Sequence, residues 1–185
     1  MEPQPLPAGD AASAEAVVAL LNRELGAGMY STGDVLEDAA DPRAGVWLLG
    51  RPLHGAAVAR LMVAADAGYY ARFGSAVTDL FTEKVGSFEA LAVEPAWRHR
   101  GLGRALTTAA LEWMWSQGCD AVLTLSWRSG AGDASAGLFR HLGFREGRTV
   151  NRFYYEESVR DGWICPVCHG PCTCAATAFW LHHSG

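Results

Sequence analysis

The stretch Phe88–Trp115, FEALAVEPAWRHRGLGRALTTAALEWMW, sets the frame for the rest of the chain. Phe88–Val93 reads as a buried strand and Glu94–Trp97 as a short proline-bearing connection. Arg98–Arg104 reads as a basic, glycine-containing turn that opens a helix. Leu102, Leu106, Ala109 and Trp113, with Ala105, Ala110 and Met114 beside them, recur at helical spacing. This helix therefore has an apolar stripe to lay on a sheet, and Gly118 ends it.

Such a turn can hold an anion. The first turn of a helix leaves N–H groups without partners and carries a partial positive charge. Gly101 and Gly103 have no side chain to keep phosphate oxygens from those amides, and Arg98, His99, Arg100 and Arg104 crowd further donors around them. A glycine turn with solvated arginines accounts for the same residues. Neither usual nucleotide fingerprint is present: residues 98–104 lack the Lys-Ser/Thr ending of a Walker loop and the third glycine of the dinucleotide pattern, so ATP and NAD are poor candidates.

With 185 residues, half of them apolar, the chain can bury a sizeable core and is expected to form one domain, 1–185. No apolar run is long enough to span a bilayer, and MEPQPLPAGD has neither a basic start nor a hydrophobic segment, so no membrane association, no secretory signal and a cytoplasmic location are expected. A formal charge of -5 argues against a nucleic-acid surface and mildly favours small cationic partners. Seven tryptophans, some on the helix ending at Trp115, leave room for an apolar homodimer face.

Outside the central stretch, the prolines of residues 1–10 permit only a frayed edge strand. Helices are expected at Ala11–Leu25, opened by Asp10 or Ser13 and ended by Gly26, and at Asp34–Ala40, stopped by Asp41-Pro42. Val46–Leu49 and Ala56–Met62 read as a hairpin. Residues 64–86 are too long for a plain connection; an irregular helix is expected there, its Tyr69, Tyr70, Phe73 and Phe81 either packing locally or lining a substrate pocket. Ala121–Trp127 reads as a strand parallel to the first, Ser129–Asp133 as a glycine-rich loop, Ala134–His141 as a helix, and Thr149–Glu156 and Ala175–Leu181 as strands.

LAVEPAWRHRGLGRAL (91–106) resembles the acetyl-coenzyme A binding motif of the GNAT superfamily of N-acetyltransferases, Arg/Gln-x-x-Gly-x-Gly/Ala, which stands here as Arg98, Gly101 and Gly103 after a Leu91, Val93, Pro95 strand end. GDASAGLFRHLGF (132–144) resembles the family's second signature, a helix before a Gly-Phe pair, here Gly143-Phe144. The resemblance covers nearly the whole chain. It implies the α/β (in some schemes α+β) acyl-CoA N-acyltransferase fold: a mixed central sheet flanked by helices.

It also implies direct transfer of an acetyl group from acetyl-CoA to a primary amine, carried by a small molecule or a peptide amino terminus, within a ternary complex. Leu91, Ala92 and Val93 would present backbone groups to the acetyl and pantetheine parts. Residues Arg98, His99, Arg100, Gly101, Leu102, Gly103 and Arg104 would wrap the diphosphate, with Phe139 bordering the cofactor.

Direct transfer needs a base for the amine and a proton for the departing thiolate. Glu89, in phase with Leu91 and Val93, is the candidate base; a surface carboxylate is the alternative. Many family members have a tyrosine donor where this chain has Phe139, which has no proton to give. Tyr154 is taken as its replacement, with Tyr155, Tyr30, Tyr69 and Tyr70 as alternatives, each also explicable as packed aromatics. Gly132 stands where the family often has asparagine, and Asp133 either takes over or caps the helix. These departures keep open an impaired acyl-CoA-binding sensor.

The segment CPVCHGPCTC carries Cys165, Cys168, Cys172 and Cys174, a Cys-rich insertion at 163–174 in a terminal hairpin. Four clustered thiols in a cytoplasmic chain favour a metal, zinc first, over a disulfide framework; a zinc-stabilised interaction module follows as a further reading. The three-residue gap between the two pairs makes one closed site tight. An unmetallated cluster, a redox disulfide and zinc shared between chains stay open. Cys119 has no histidine partner in view and is not expected to be catalytic.

Overall fold

The computed structural model describes residues 1–129, 132 and 135–183. Their strands form one seven-stranded sheet, ordered β1-β2-β3-β4-β5-β7-β6. β1 (Gln4–Pro5) is the frayed edge expected of its prolines and pairs with β2. α1 (Ala11–Glu24) is capped by Asp10, whose carboxylate accepts from the Ser13 amide. α2 (Thr32–Ala40) begins two residues earlier than its sequence suggests, because Ser31 and Asp34 form a reciprocal capping box. β2 (Ala44–Leu49) and β3 (Gly55–Leu61) make the expected hairpin.

Residues 64–82 form short 3-10 turns around α3 (Ser75–Thr78). β4 (Val85–Val93) leads through the 3-10 turn Pro95–Trp97 into α4 (Leu102–Ser116), and β5 (Ala121–Arg128) returns parallel to β4. α5 (Ala136–His141), β6 (Arg145–Val150), α6 (Tyr155–Asp161) and β7 (Ala175–His182) complete the chain. Of the loop expected at 129–133, Gly130, Ala131 and Asp133 lie outside the described residues, as does the Asp133 alternative.

The apolar stripe of α4 sits as its spacing predicts: Leu102, Leu106, Ala110 and Met114 are buried against Ala57, Phe88, Val122 and Phe179. Each large side chain so buried contributes roughly 1.5–3 kcal/mol. Gly86 permits this close seating, since a Cβ there would lie 2.4 Å from the Met114 sulfur. α1 and α2 cover Val46, Ala56, Val58, Ala90 and Ala92 in a second cluster. Tyr70, Phe73, Leu80 and Phe81 form a third with Val85, Leu123, Val150 and Phe153. Among the described residues no helix is long and apolar enough to cross a membrane.

One expectation needs correction. The strand expected at Thr149–Glu156 ends at Val150: Arg152 takes φ 53, the chain turns, and α6 begins at Tyr155. The ring of Phe153 is drawn instead toward Phe73 and Tyr69, at 4.8 and 5.2 Å between centroids. The tryptophans of α4 make contacts within the chain, Trp113 edge-on to Trp47 and Trp115 stacked on His183.

Candidate active site

β4 and β5 are paired only from Val85↔Ala121 to Phe88↔Thr124. Beyond that point β4 stays with β3 as far as Val93↔Gly55, while β5 stays with β7 as far as Arg128↔Ala175. The sheet therefore forks, and among the described residues Glu89–Val93 have no strand partner on the β5 side. Thr124 pins the apex, its hydroxyl donating to the Phe88 carbonyl at 2.8 Å.

At the same level the β3–β4 register shifts: Ala59 faces Phe88 and Val58 faces Ala90, leaving Glu89 as the extra residue of a bulge. The bulge breaks the alternation on which its phasing with Leu91 and Val93 rests. Those two pack with Phe88 beneath α4, whereas the Glu89 carboxylate turns toward Arg60, 3.8 Å from Nε. Arg60 is held in turn by Asp38.

Glu89 stands in a cleft of about 540 Å³. A third of its side chain (33%) is accessible, and it lines this recess. Burial pushes its carboxyl up to about 7; Arg60 opposes that rise, and Asp38 and Asp66 add to it. Its titration is thereby brought into the neutral range.

The rest of the lining is aromatic and acidic. Tyr30, Tyr69, Tyr70, Trp127, Phe139, Tyr154 and Trp163 face the cleft together with Asp66 and Glu157. α1 holds Tyr30 through Asn22, which accepts from its amide and donates to its carbonyl, each at 2.8 Å. Tyr69 donates to Glu157 at 2.9 Å, and Tyr70 lies 3.4 Å from the Ser87 hydroxyl. Of the four aromatics of residues 64–86, Tyr69 and Tyr70 line the cleft while Phe73 and Phe81 are core.

Burial raises the Tyr154 phenol, with Glu157 adding to the effect, so its O–H stays protonated through the neutral range. Phe139 is 2% exposed, with Phe88, Phe144 and Phe179 around it. Four residues earlier, Ser135 also lines the cleft and shares a 2.8 Å hydrogen bond with Ser126. Ser135, Trp127, Trp163, Asp66 and Glu157 were not anticipated. The signal that could have found Trp163 is its residue type, since Trp is highly buried on average.

The other arm of the fork ends at the mouth of α4. Gly101 takes φ 82 as the residue before the helix, and a Cβ there would meet nothing within 4 Å. The first helical amide with a backbone acceptor is Ala105, bonded to the Gly101 carbonyl, so Leu102, Gly103 and Arg104 carry the N–H groups that a helix start leaves unspent. His99 is also left-handed, at φ 59.

The basic side chains diverge from this point. Arg98 ion-pairs with Glu24 and donates to the Val93 carbonyl at 3.1 Å. Arg100 lies over Trp97, and Arg104 reaches His141 at 3.2 Å. The amides rather than the guanidinium groups are thus converged. Gly103 differs from Gly101: its missing Cβ points at Leu138, Leu91 and Val93, at 3.6–4.0 Å, toward packed side chains and not open space. Gly103→Ala is accordingly expected to leave CoA affinity within about twofold and to raise stability by up to about 1 kcal/mol. Isothermal titration and urea denaturation check the two parts.

The sulfurs of Cys165, Cys168, Cys172 and Cys174 lie within 4.8 Å of one another, so the short gap between the pairs does not keep them apart. Cys119 is buried in the core under α4, away from the cleft, and burial raises its thiol.

No curated protein sequence matches the chain. Among solved structures, NAA60 of Arabidopsis thaliana in complex with acetyl-CoA superposes with a TM-score of 0.69 at 16% identity, over 99% of this chain and 98% of that one. A polyamine N acetyltransferase of Drosophila melanogaster gives 0.66 at 19% identity, over 98% and 99%. The NatC complex bound to Gag peptide and CoA gives 0.68 at 17% identity over the whole of both chains. The model of the acetyltransferase (GNAT) family matches residues 20–144. Fork, bulge and open helix mouth all fall within that span, and the chain belongs to the GNAT acetyltransferase family.

Proposed function

We propose that the protein moves an acetyl group from acetyl-CoA to a primary amine by direct attack within a ternary complex. The observation that carries this reading is the fork: unpartnered β4 backbone runs from a cleft-lining carboxylate with raised pKa toward a helix mouth with unspent amides. The open space before Gly101 fits a diphosphate, and Leu91 links the two halves, lining the cleft while lying 3.7 Å from where a Gly103 Cβ would be.

Acetyl-CoA brings the acyl thioester. Glu89 takes the proton of the incoming ammonium, directly or through one water, as a base matched to neutral pH. Tyr154 offers an O–H to the departing sulfur; with a phenol above its usual range it serves as a hydrogen-bond donor rather than a strong acid. The acceptor enters a recess whose carboxylates and ring faces both favour a cation. That the NatC complex bound to Gag peptide and the polyamine N acetyltransferase share the fold supports peptides and small polyamines as the two acceptor classes.

One observation favours a second reading. Phe139 fills its site with hydrocarbon, so a chain that binds acetyl-CoA without transferring it would look the same there. Thiol release from acetyl-CoA at pH 8, with spermidine or a short peptide bearing a free amino terminus, separates the two. Amine-dependent release is expected; tight acetyl-CoA binding with no such release would establish the sensor.

A further inference from the structure

The cysteine knuckle takes no part in the proposed transfer, yet it gathers four sulfurs within 4.8 Å of one another, as the ligands of one metal ion would be. Cys165 and Cys174 sulfurs are 4.0 Å apart and those of Cys168 and Cys174 3.5 Å, and none of the cysteines forms a disulfide. A tetrahedron of thiolates about 2.3 Å from zinc has edges of about 3.8 Å. The backbone is shaped to the sulfurs as well. The Cys168 amide points at the Cys165 sulfur at 3.3 Å, and the Thr173 amide at the Cys168 sulfur at 3.4 Å. The loop that allows this is closed by the Cys165 amide donating to the Gly170 carbonyl, with His169 left-handed at φ 55. Three of the four cysteines are buried and Cys168 is half-buried, and four thiolates would complete a tetrahedral set with no position for water, the pattern of a structural rather than a catalytic site.

What the knuckle touches gives it a purpose. Its sulfurs pack against Trp163, Tyr154, Trp127 and Met29, all of which line the cleft. Ile164 exchanges two 2.9 Å backbone hydrogen bonds with Ala27, and the Cys172 amide donates to Ser158 of α6 at 2.8 Å. The knuckle thereby clamps the segment carrying Trp163 onto the loop after α1. We propose that Cys165, Cys168, Cys172 and Cys174 bind one zinc ion, which fixes Trp163 and Tyr154 as the acceptor-side wall of the cleft. The wall half rests on the transferase reading; the zinc half does not.

Full-length protein purified without added metal is expected to carry about one zinc per chain and, after exchange with Co²⁺, to show the visible bands of tetrahedral cobalt thiolate. Less than one zinc for every two chains, or iron in its place, overturns the site. For the wall, Cys168→Ser alters the least buried ligand. It is expected to raise KM for spermidine or the peptide at least about tenfold while leaving the Kd for CoA within about twofold. Equal changes in both, or none, overturn the wall role. Should that variant not fold, chelator treatment of the wild type is read instead by tryptophan fluorescence and CoA titration. Loss of the native emission with CoA binding intact, restored by zinc, supports the wall, and unchanged emission overturns it. Metal content is read on the resting protein, so it stands or falls separately from transfer activity.

Discussion

In Glu89→Gln, kcat is expected to fall by about 10²-fold or more near pH 8, with acetyl-CoA affinity close to wild type. The carboxyl titrates at about 7, so wild-type turnover climbs through neutrality as the base forms. The variant has no such limb and waits on the acceptor amine, whose free form becomes abundant only near the lysine value of about 10.4. The difference between the two is therefore widest between those pH values and narrows on either side. An equal loss at every pH would assign Glu89 a positioning role.

A second measurement on the same variant has the opposite sign. Burial raises the native carboxyl from 4.5 to about 7, so the folded state holds this proton more tightly than the unfolded one. The stability it confers is fully present below 4.5 and is lost as pH rises through 7. Gln carries no charge at any of these pH values. Glu89→Gln should therefore melt above the wild type at pH 8, with the gap closing toward pH 5. A variant less stable at pH 8 would show that the pairing with Arg60 outweighs desolvation.

Gly101→Val is expected to weaken CoA binding by at least about tenfold, from roughly 1–3 kcal/mol of strain on a β-branched residue held left-handed. Its φ of 82 is what aims the first amides of α4 outward, and open space beside the missing Cβ rules out a simple clash as the cause. Gly101→Ala should fall between. The loss should vanish with S-acetyl pantetheine, which reaches the fork but has no diphosphate. An equal loss with both acyl donors would mean that the mutation disturbs the fork itself.

How much of this was readable beforehand follows from where each signal lies. The strand, glycine turn and helix of residues 88–115 are legible because local spacing specifies them: a buried run, a break, then an apolar stripe. The orientation of Glu89 is not local. It depends on which β3 residue faces which on β4, and a bulge created by the partner strand leaves no mark in FEALAV.

Phe153, Tyr154 and Tyr155 read as strand by propensity, but packing of the first two rings against Tyr69 and Trp163 overrides it. The cysteine spacing was readable and its steric consequence was not, because a left-handed His169 and the Gly170 carbonyl turn the chain more tightly than the gap suggests. The family motif implies that Arg98 meets the diphosphate through its amide, and local spacing is enough to read that. Its guanidinium ion-pairs with Glu24 of α1, a pairing that no local pattern announces.

The two margins of the sheet bear on how the molecule behaves in a crowded solution. One is a two-residue strand set among prolines, and the other carries Arg145, Glu146 and Arg148 and loses register between Glu146 and Thr149. Short, charged and irregular borders of this kind discourage foreign chains from zipping on. A long unmated rail of backbone lies inward instead, between β4 and β5, screened by helices on either face. The protein thus keeps its stickiest main-chain surface where a cosubstrate, and not a neighbouring molecule, can reach it.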